Sequence, residues 1–315
     1  MAMKENEIKV ELLFCLDERY ACREREQEVQ RCCRELPLQG IAVRIGRDPE
    51  EDAAELAACK RAEQTLQEQQ MRGNVGSLYL ADSADMFRRC RKGGFPAVGY
   101  LHAGNQREQF PGADYILMQP DEVSEDSYCK IWQRLAGIPW TIAETRRLVL
   151  REVLPDDYEA LYSLYDAEAG HFLTPLSDDR GKEREILRAY AENIYRFYGY
   201  GMWGIWEKSS AELIGRVGFA PPANAEGAPE LGYLVRQDCR RKGYAREAAE
   251  AALAFARDEL GMEEVALQTN AANEASIALA RALGFQITKK TVDSAGGEVL
   301  RLVKKLRDKQ KGYHD

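Results

Sequence analysis

Short apolar runs and longer amphipathic segments alternate through the first half of the chain. Apolar runs such as 8–16 are typical of buried strands, and segments with apolar residues on one face, such as 18–36, are typical of helices. The predicted strands are 8–16, 40–45, 77–81, 95–101 and 115–118, and the predicted helices are 18–36, 49–70, 83–92 and 125–135. Regular alternation of strand and helix favours an α/β fold with an open, mostly parallel, Rossmann-like sheet flanked by helices.

The second half of the chain follows a different order. Two pairs of predicted strands are joined by short turns, as in antiparallel hairpins, and one long helix separates two further strands. The predicted strands are 146–153, 202–206, 212–219, 230–236, 263–269, 285–290 and 298–304, and the predicted helices are 155–167, 185–198, 244–260 and 276–283.

The run Gly137-Ile138-Pro139-Trp140 marks the end of the first half. A chain of 315 residues is long enough for two domains. No Gly/Ser-rich or Pro-rich linker separates the halves, so the joint is short. We therefore predict domains at 1–140 and 145–307.

Charge and composition narrow the class of protein. The net charge of −8 argues against a general nucleic-acid binder, whose affinity would come from basic surface. The chain has no apolar run of about 18 residues, so we expect no membrane span. Residues 1–6 lack the apolar core of a signal peptide, and we expect a cytoplasmic protein. The oligomeric state is left open.

Cysteine and histidine usage gives no sign of a metal site. Of the eight cysteines, seven lie in the first half, and none forms a Cys-x-x-Cys pair. With only three histidines in the chain, the usual zinc-ligand spacing is missing. We expect reduced thiols and no bound metal.

A basic, glycine-containing turn between a predicted strand and the helix 244–260 is a candidate phosphate site. Backbone N–H groups of such a turn and the positive end of the helix dipole favour an anion such as a diphosphate. Gly243 has no Cβ, so a phosphate oxygen can approach the backbone closely there. Ala245 adds only a small side chain to the first helical turn. The alternative is an ordinary basic turn that caps a helix. The turn consists of Arg240, Arg241, Lys242, Gly243, Tyr244 and Ala245.

The turn and the segments on either side of it resemble the GNAT superfamily of N-acetyltransferases over about Thr145 to Leu306. The resemblance is nearest the branch that acetylates the N-termini of ribosomal proteins. It implies an α+β domain with a mixed sheet. The matching segments are the acyl-CoA-binding pattern Arg-x-x-Gly-x-Ala at Arg240, Gly243 and Ala245, the preceding strand from Glu230 to Val235, the pair Asn273 and Ser276, and the ending Leu283-Gly284-Phe285.

The resemblance implies acetyl-CoA as co-substrate and a direct transfer to a primary amine, either a peptide N-terminus or a small amine. In that family a backbone N–H on the strand polarises the thioester carbonyl, and the matching position is Leu234, next to Val235. Asn273 matches a residue that touches the pantetheine arm. The phosphates would lie on the N–H groups from Arg241 to Ala245, with Arg240 and Lys242 supplying charge.

Two residues are candidates for proton transfer. Glu230 lies where several family members place the carboxylate that deprotonates the amine through a water, although it could also be a solvent-facing strand residue. Ser276 matches the serine used by the N-terminal-acetylating branch, although it could also be a helix-start hydroxyl with local hydrogen bonds. The tyrosine acid of many relatives is absent, since Ala280 occupies its place.

An aromatic group near the second half's first hairpin has two interpretations. It could wall the acceptor pocket, or it could belong to the core, which aromatic residues commonly dominate. His171 lies in a region where acceptor contacts occur in the family, although a lone exposed histidine is the simpler interpretation. The aromatic residues are Tyr195, Phe197, Tyr198, Tyr200, Trp203 and Trp206.

The first half resembles the haloacid dehalogenase-like fold, through segments that include 14–17 and 78–83. In that family the first strand ends in Asp-x-Asp, but here Cys15 occupies the nucleophile's place, followed by Asp17. A thiol is a poor ligand for a hard cation, so we predict a non-catalytic domain. Asp82 and Asp85 could be leftover metal ligands, or a helix N-cap with a first-turn carboxylate.

Three functions remain open from the sequence alone. The first is an acetyl-CoA-dependent N-acetyltransferase. The second is a sensor that binds an acyl-CoA without turnover, an alternative that the missing tyrosine keeps open. The third is a phosphatase in the first half, against which Cys15 is the main obstacle.

Overall fold

The computed structural model describes residues 9–46, 75–165, 177, 179–222, 227–293 and 296–306. The predicted helix 49–70 and His171 lie outside the described residues. The chain divides into two compact units, Met1–Ile138 and Pro139–Asp315. None of the described helices is long and apolar enough to cross a membrane.

The first unit contains an open parallel sheet, as predicted. Its five described strands lie in the order β2-β1-β3-β4-β5, which is the flavodoxin-like order of doubly wound folds. The strands are β1 (Lys9–Cys15), β2 (Ala42–Gly46), β3 (Val75–Ala81), β4 (Ala97–Tyr100) and β5 (Ile116–Leu117), and the helices are α1 (Arg23–Glu35), α2 (Ala84–Lys92) and α3 (Glu125–Leu135).

Both faces of this parallel sheet are buried, which explains why its strands are continuous apolar runs rather than alternating patterns. In β1, Leu12 and Phe14 pack in one cluster with residues of α1 and α3. Leu13 and Cys15 face the other way and pack with residues of α2. The helices therefore cover the sheet from both sides.

The second unit contains a mixed sheet of eight strands in the order β12-β13-β11-β10-β9-β8-β7-β6. Among its described pairs, only β10 with β11 is parallel. The strands are β6 (Thr141–Glu144), β7 (Leu148–Arg151), β8 (Met202–Glu207), β9 (Leu213–Ala220), β10 (Glu230–Val235), β11 (Glu264–Asn270), β12 (Gln286–Val292) and β13 (Glu298–Lys305). Strand β6, which follows directly after the predicted joint, has no counterpart among the strands predicted from the sequence.

The helices of the second unit differ in part from the prediction. The predicted helix 155–167 is a 3-10 turn followed by the short α4, and the predicted helix 185–198 starts earlier, at Arg180, where Asp179 caps it. A π-helical segment, Tyr190–Tyr195, interrupts the latter. The helices are α4 (Tyr158–Tyr162), α5 (Arg180–Ala189), α6 (Arg196–Tyr198), α7 (Tyr244–Asp258) and α8 (Glu274–Ala282).

Helix α7 packs closely on one face of the sheet because its inward side is made of alanines. Ala248, Ala252 and Ala256 are fully buried against the main core. Trp203 and Phe219 of the sheet fill the space beneath, with ring centroids 5.8 Å apart. The same helix connects β10 to β11, and its N-terminus therefore lies beside the end of β10.

Strands β10 and β11 separate soon after they meet. Their register contains a single pair, Glu230 with Ala266, whereas β10 pairs with β9 along its whole length. Beyond Glu230, the edge of β10 that faces β11 has no strand partner among the described residues. The sheet therefore has a gap between these strands, close to the N-terminus of α7.

Candidate functional site

The turn before α7 has the backbone conformation of an anion-binding loop. Arg241 and Gly243 both adopt left-handed conformations, with φ of 60° and 82°. Residues of this kind in a turn direct successive N–H groups into one concavity. No described residue accepts a hydrogen bond from the N–H of Arg241, Lys242 or Gly243. The N–H groups remain available to an anion.

Arg147 braces this turn from the far end of the sheet. Its Nη1 donates to the Lys242 carbonyl at 2.9 Å, and its Nη2 lies 2.7 Å from the Glu247 carboxylate. The guanidinium also lies 4.3 Å from the ring centroid of Tyr244. Burial alone would raise the pKa of Glu247, but hydrogen bonds from Thr145 and Arg147 outweigh it and lower the pKa. The turn is thus held by a charged network.

The side chains of the turn have different roles. Arg241 and Lys242 are exposed and available to charge the surface of the concavity. Arg240 is half-buried, and its Nε donates to the Val235 carbonyl at 3.1 Å. The Tyr244 side chain is buried and its hydroxyl donates to Glu207, so only the backbone of Tyr244 can face an anion.

The register of β10 does not fit the role predicted for Leu234. The Arg236 N–H donates to the Ile214 carbonyl at 2.8 Å, and Leu234 pairs with Arg216 in the same antiparallel ladder. Alternate residues of such a ladder bond to the same neighbour. The Leu234 N–H therefore faces β9, and its carbonyl lies against Gly215. The N–H groups that face the gap belong to Tyr233 and Val235.

Glu230 is half-buried, not a freely solvated strand residue. Its Oε2 accepts a hydrogen bond from Gln268 Nε2 at 2.9 Å, across the single pair that joins β10 to β11. The second carboxylate oxygen has no partner among the described residues. Glu230 therefore places an oriented carboxylate at the narrow end of the gap.

Ser276 lies on the opposite face of the sheet from Glu230. Its hydroxyl is 2.9 Å from the hydroxyl of Tyr233, a residue 43 positions away, so the alternative of a purely local hydrogen bond does not hold. Burial raises the pKa of the Tyr233 phenol, and the hydrogen bond with Ser276 opposes this. Ala280, in the place of the absent tyrosine, is fully buried in the core.

Asn273 has a structural task in addition to any contact with a ligand. Its side-chain oxygen accepts from the Ser276 N–H at 3.0 Å and caps helix α8. Only its side-chain NH₂ group remains to contact a pantetheine arm. The Asn-x-x-Ser pattern thus fixes the start of α8 and holds Ser276 beside β10.

The aromatic residues divide between the two interpretations. Tyr195, Tyr200 and Trp203 are buried in the main core, and the Trp203 indole N–H donates to the Tyr195 hydroxyl at 3.0 Å. Phe197 is 80% exposed. Trp206 lies beneath Arg151, whose guanidinium is 3.5 Å from its ring centroid. The core interpretation is therefore right for the first three.

In the first unit, Asp82 is a buried charge with several partners. Its carboxylate accepts from the Asp17 N–H at 2.7 Å and from Arg25 at 3.0 Å, and it lies 3.4 Å from His102 Nε2. The prediction of an N-cap at Asp82 is wrong, because Ser83 caps α2. The described residues contain no group of three possible metal ligands. Asp85 is the first-turn carboxylate that was expected.

The carboxyl edge of this parallel sheet is filled by the chain's own side chains. Glu108 accepts a hydrogen bond from the Ala84 N–H at 2.7 Å and another from the Tyr20 hydroxyl, so a carboxylate already occupies the N-terminus of α2. Arg19 holds the pKa of Asp17 at about 2. Cys15 is buried. These contacts favour a structural role over attack on a phosphate ester.

We expect Asp82→Asn to destabilise the first unit by about 3–5 kcal/mol, because the change leaves Arg25 buried without a counter-charge. The matched control is Asp85→Asn, an exposed carboxylate three residues away, which should change stability by less than about 0.5 kcal/mol. Urea unfolding followed by circular dichroism measures both. Equal stability of the two variants would show that the Asp82 cluster does not stabilise the fold.

Residues 147–286 match the family model of the acetyltransferase (GNAT) domain. The uncharacterised N-acetyltransferase YoaA of Bacillus subtilis is 29% identical over 147 residues, which cover 46% of this chain and 82% of YoaA. The uncharacterised protein YkkB of the same organism is 28% identical over 148 residues, which cover 46% of this chain and 85% of YkkB.

Solved structures with a similar fold also align with about half of the chain. An acetyltransferase from Agrobacterium tumefaciens is 25% identical with a TM-score of 0.43, covering 50% of this chain and 92% of its own. A ribosomal-protein-S5-alanine acetyltransferase from Vibrio fischeri is 15% identical with a TM-score of 0.45, covering 55% of this chain and 99% of its own.

Proposed function

We propose that the second unit transfers an acetyl group from acetyl-CoA to a primary amine, because residues 147–286 match the family model of the acetyltransferase (GNAT) domain. The amine is that of a small molecule or a peptide N-terminus. One observation carries the proposal: the braced turn before α7 presents N–H groups without acceptors among the described residues, beside two exposed basic side chains. We further propose that the first unit is a non-catalytic domain.

Acetyl-CoA is the acetyl donor of GNAT acetyltransferases, and it supplies a thioester that an amine can attack. The described residues fit its phosphates. The N–H groups from Arg241 to Ala245 would hold them, and Arg241 and Lys242 would neutralise part of their charge. Gly243 leaves the mouth of the turn free of a side chain. Asn273 remains a candidate contact through its NH₂ group.

The gap between β10 and β11 is where the acetyl group would be oriented. The N–H groups of Tyr233 and Val235 face this gap, and one of them takes the polarising role first assigned to Leu234. Such a donor acts strongly because it is fixed in the sheet before the substrate arrives. The gap also connects the two faces of the sheet. Glu230, the candidate base, lies on one face, and Ser276, the candidate acid, lies on the other.

Glu230 is the proposed general base. Its carboxylate takes a proton from the acceptor ammonium through a water, onto the oxygen that Gln268 does not bind. The hydrogen bond from Gln268 limits the rotation of the carboxylate. The base is therefore oriented before the amine arrives.

Ser276 and Tyr233 form the proposed acid. Because burial raises the pKa of the Tyr233 phenol, its Oη keeps its proton at neutral pH. The Ser276 hydroxyl, 2.9 Å away, can pass a proton to or from it. This pair supplies the proton for the departing thiolate, in place of the tyrosine that the sequence lacks at Ala280.

We expect acetyl-CoA to raise the melting temperature of the second unit. A ligand that binds only the folded state at 100 times its Kd stabilises that state by about 2.7 kcal/mol. For a unit of this size that corresponds to a shift of several degrees. Differential scanning fluorimetry with millimolar acetyl-CoA measures the shift, and S-acetylpantetheine, which lacks the phosphates, is the control. The absence of any shift in a folded sample would contradict the proposal.

A sensor that binds acyl-CoA without turnover is the second candidate. It shares the phosphate turn and predicts the same thermal shift. It differs in releasing no CoA thiol when amines are added, and this is the measurement that separates the two functions.

A further inference from the structure

One face of the sheet in the second unit has a floor of glycines between two charged residues. Gly232 of β10 pairs with Gly218 of β9, which in turn pairs with Met202 of β8. Glu230 lies two residues before Gly232, and Arg216 lies two residues before Gly218. Residues two apart on a strand share a face, as do paired residues on neighbouring strands. Both charged side chains therefore project from the face that carries the two glycines. The Met202 side chain lies over Gly232 on this face, since a Cβ built there would be 3.4 Å from the Met202 Sδ.

Arg216 has no counter-ion in the part of the chain that the structure describes. Its side chain is half-buried, and its Nε atom is buried without a hydrogen-bond partner. No described carboxylate forms an ion pair with it. The residues paired with it on either side are Leu234 and Gly204, which carry no charge. The ring of Trp206 covers Gly204 and is itself engaged by Arg151.

The positive charge of Arg216 acts on Tyr190, whose hydroxyl is bonded to the first residue of β8. The Tyr190 hydroxyl accepts a hydrogen bond from the Met202 N–H at 3.0 Å. The hydroxyl therefore lies beside the pair formed by Met202 and Gly218. Burial raises the pKa of Tyr190, while the Met202 N–H and the positive charge of Arg216 oppose the rise. The positive charge of Arg216 is therefore near enough to Tyr190 to lower the pKa of its phenol. A Cβ on Gly201 would lie 2.3 Å from that hydroxyl, so a larger residue there would displace the Tyr190 side chain.

A half-buried cation without a partner costs folding free energy, because it loses water and gains no compensating charge. Two other charged groups of this face have internal partners, since Glu230 bonds Gln268 and Arg151 bonds Asp157. An anion arriving with the acceptor would supply what Arg216 lacks. The same cation would repel an acceptor that carries additional positive charge.

We propose that Arg216 binds a carboxylate of the acceptor, so that the substrates are amines that carry a carboxylate a few bonds from the nitrogen. The inference rests on the proposed acetyl transfer and names its substrate class. Two sources share this chemistry: a free amino acid, and a peptide N-terminus followed by an acidic side chain. In both, Glu230 deprotonates the amine while Arg216, on the same face of the sheet, holds the anion. Polyamines are excluded as good substrates.

The test compares acids with their neutral counterparts. Acetyl-CoA-dependent thiol release gives kcat/KM for amino acids against their amides, for peptides with aspartate against asparagine in second place, and for spermidine. The parent should prefer each acid roughly 10- to 100-fold, the value of one charge-assisted bond. The preference should fall towards one in Arg216→Gln, recover in part in Arg216→Lys, and persist in Arg257→Gln, an exposed arginine at the far end of α7.

A second measurement does not depend on turnover. Calorimetric titration of N-acetyl amino acids and their amides into the CoA-saturated full chain should show the same preference for the carboxylate, lost in Arg216→Gln. The Arg216→Gln variant should melt no lower than the parent, because it removes an unpaired cation. A lower melting temperature would assign Arg216 to the fold and overturn the inference.

The outcomes distinguish failure of the proposed acetyl transfer from failure of the proposed carboxylate site at Arg216. If no amine releases thiol but the titration shows the Arg216-dependent preference, acetyl transfer fails and the carboxylate site stands. If thiol is released at equal rates from acids and amides, or best with spermidine, acetyl transfer stands and the carboxylate site fails. A preference for acids that survives Arg216→Gln also overturns the inference.

Discussion

Replacing Gly243 with glutamate is expected to abolish acetyl-CoA binding while the chain stays folded. Gly243 adopts a φ of 82°, and a Cβ there would contact Arg147 at 3.4 Å, a distance of ordinary packing. We expect a longer side chain at this position to occupy the mouth of the turn, where the phosphates would lie. The glutamate also brings negative charge to an anion site and replaces the glycine that suits a left-handed conformation.

A control variant at a second glycine distinguishes a direct effect on acetyl-CoA binding from an effect of backbone strain. Gly261 lies beyond the other end of the same helix, adopts a φ of 64°, and would place a Cβ in open space. Gly261→Glu therefore carries the same change in charge and a similar strain without touching the turn. Calorimetric titration of acetyl-CoA should show binding by Gly261→Glu and none by Gly243→Glu. Parent-like affinity in Gly243→Glu would remove the turn from the site.

Glu230→Gln should lower the rate of acetyl transfer roughly 10²- to 10⁴-fold, the usual contribution of one general base. The amide keeps the size of the side chain and can still bond Gln268, but it cannot accept a proton. Affinity for acetyl-CoA should change little, because Glu230 lies at the opposite end of β10 from the phosphate turn. The loss should shrink as pH rises towards and above the pKa of the acceptor amine, where the free amine becomes abundant.

The matched control for this variant is Glu264→Gln. Glu264 projects from the same face as Glu230, on the neighbouring strand, and is half-buried. Its replacement should leave the rate within about twofold of the parent, since no proton is transferred there. Equal turnover of Glu230→Gln and the parent at neutral pH would exclude Glu230 as the base. Another carboxylate would then have to accept the proton.

The strand, turn and helix that form the phosphate site could be predicted from the sequence because their signals are local. A glycine between an apolar strand and an alanine-faced helix marks the turn directly, and α7 begins at the predicted residue, Tyr244. The same holds for helix α3, whose predicted bounds agree with Glu125–Leu135. In these segments the hydrophobic period and the capping residues are enough to predict where the helix lies.

Contacts between distant segments could not be predicted. Arg147 reaches Glu247 across 100 positions, and no local pattern connects them. The direction of the Leu234 N–H depends on the register of β10 with β9. A shift of this register by one residue would reverse the orientation of every residue of β10. Asp82 resembled an N-cap because it precedes a helix, but its partners come from two other segments of the fold. Arg216 gave no signal in the sequence, because its lack of a counter-ion among the described residues is visible only in three dimensions.

Release of CoA thiol from acetyl-CoA, followed across a panel of amines, tests the central claim most directly. The panel includes amino acids, amino-acid amides, peptides, aminoglycosides and polyamines, and each is measured with the parent and with Gly243→Glu. We expect amine-dependent thiol release by the parent, accompanied by an equal amount of N-acetylated product in the mass spectrum, and none by Gly243→Glu. Acetyl-CoA binding with no amine-dependent release for any acceptor would contradict the account and identify a sensor.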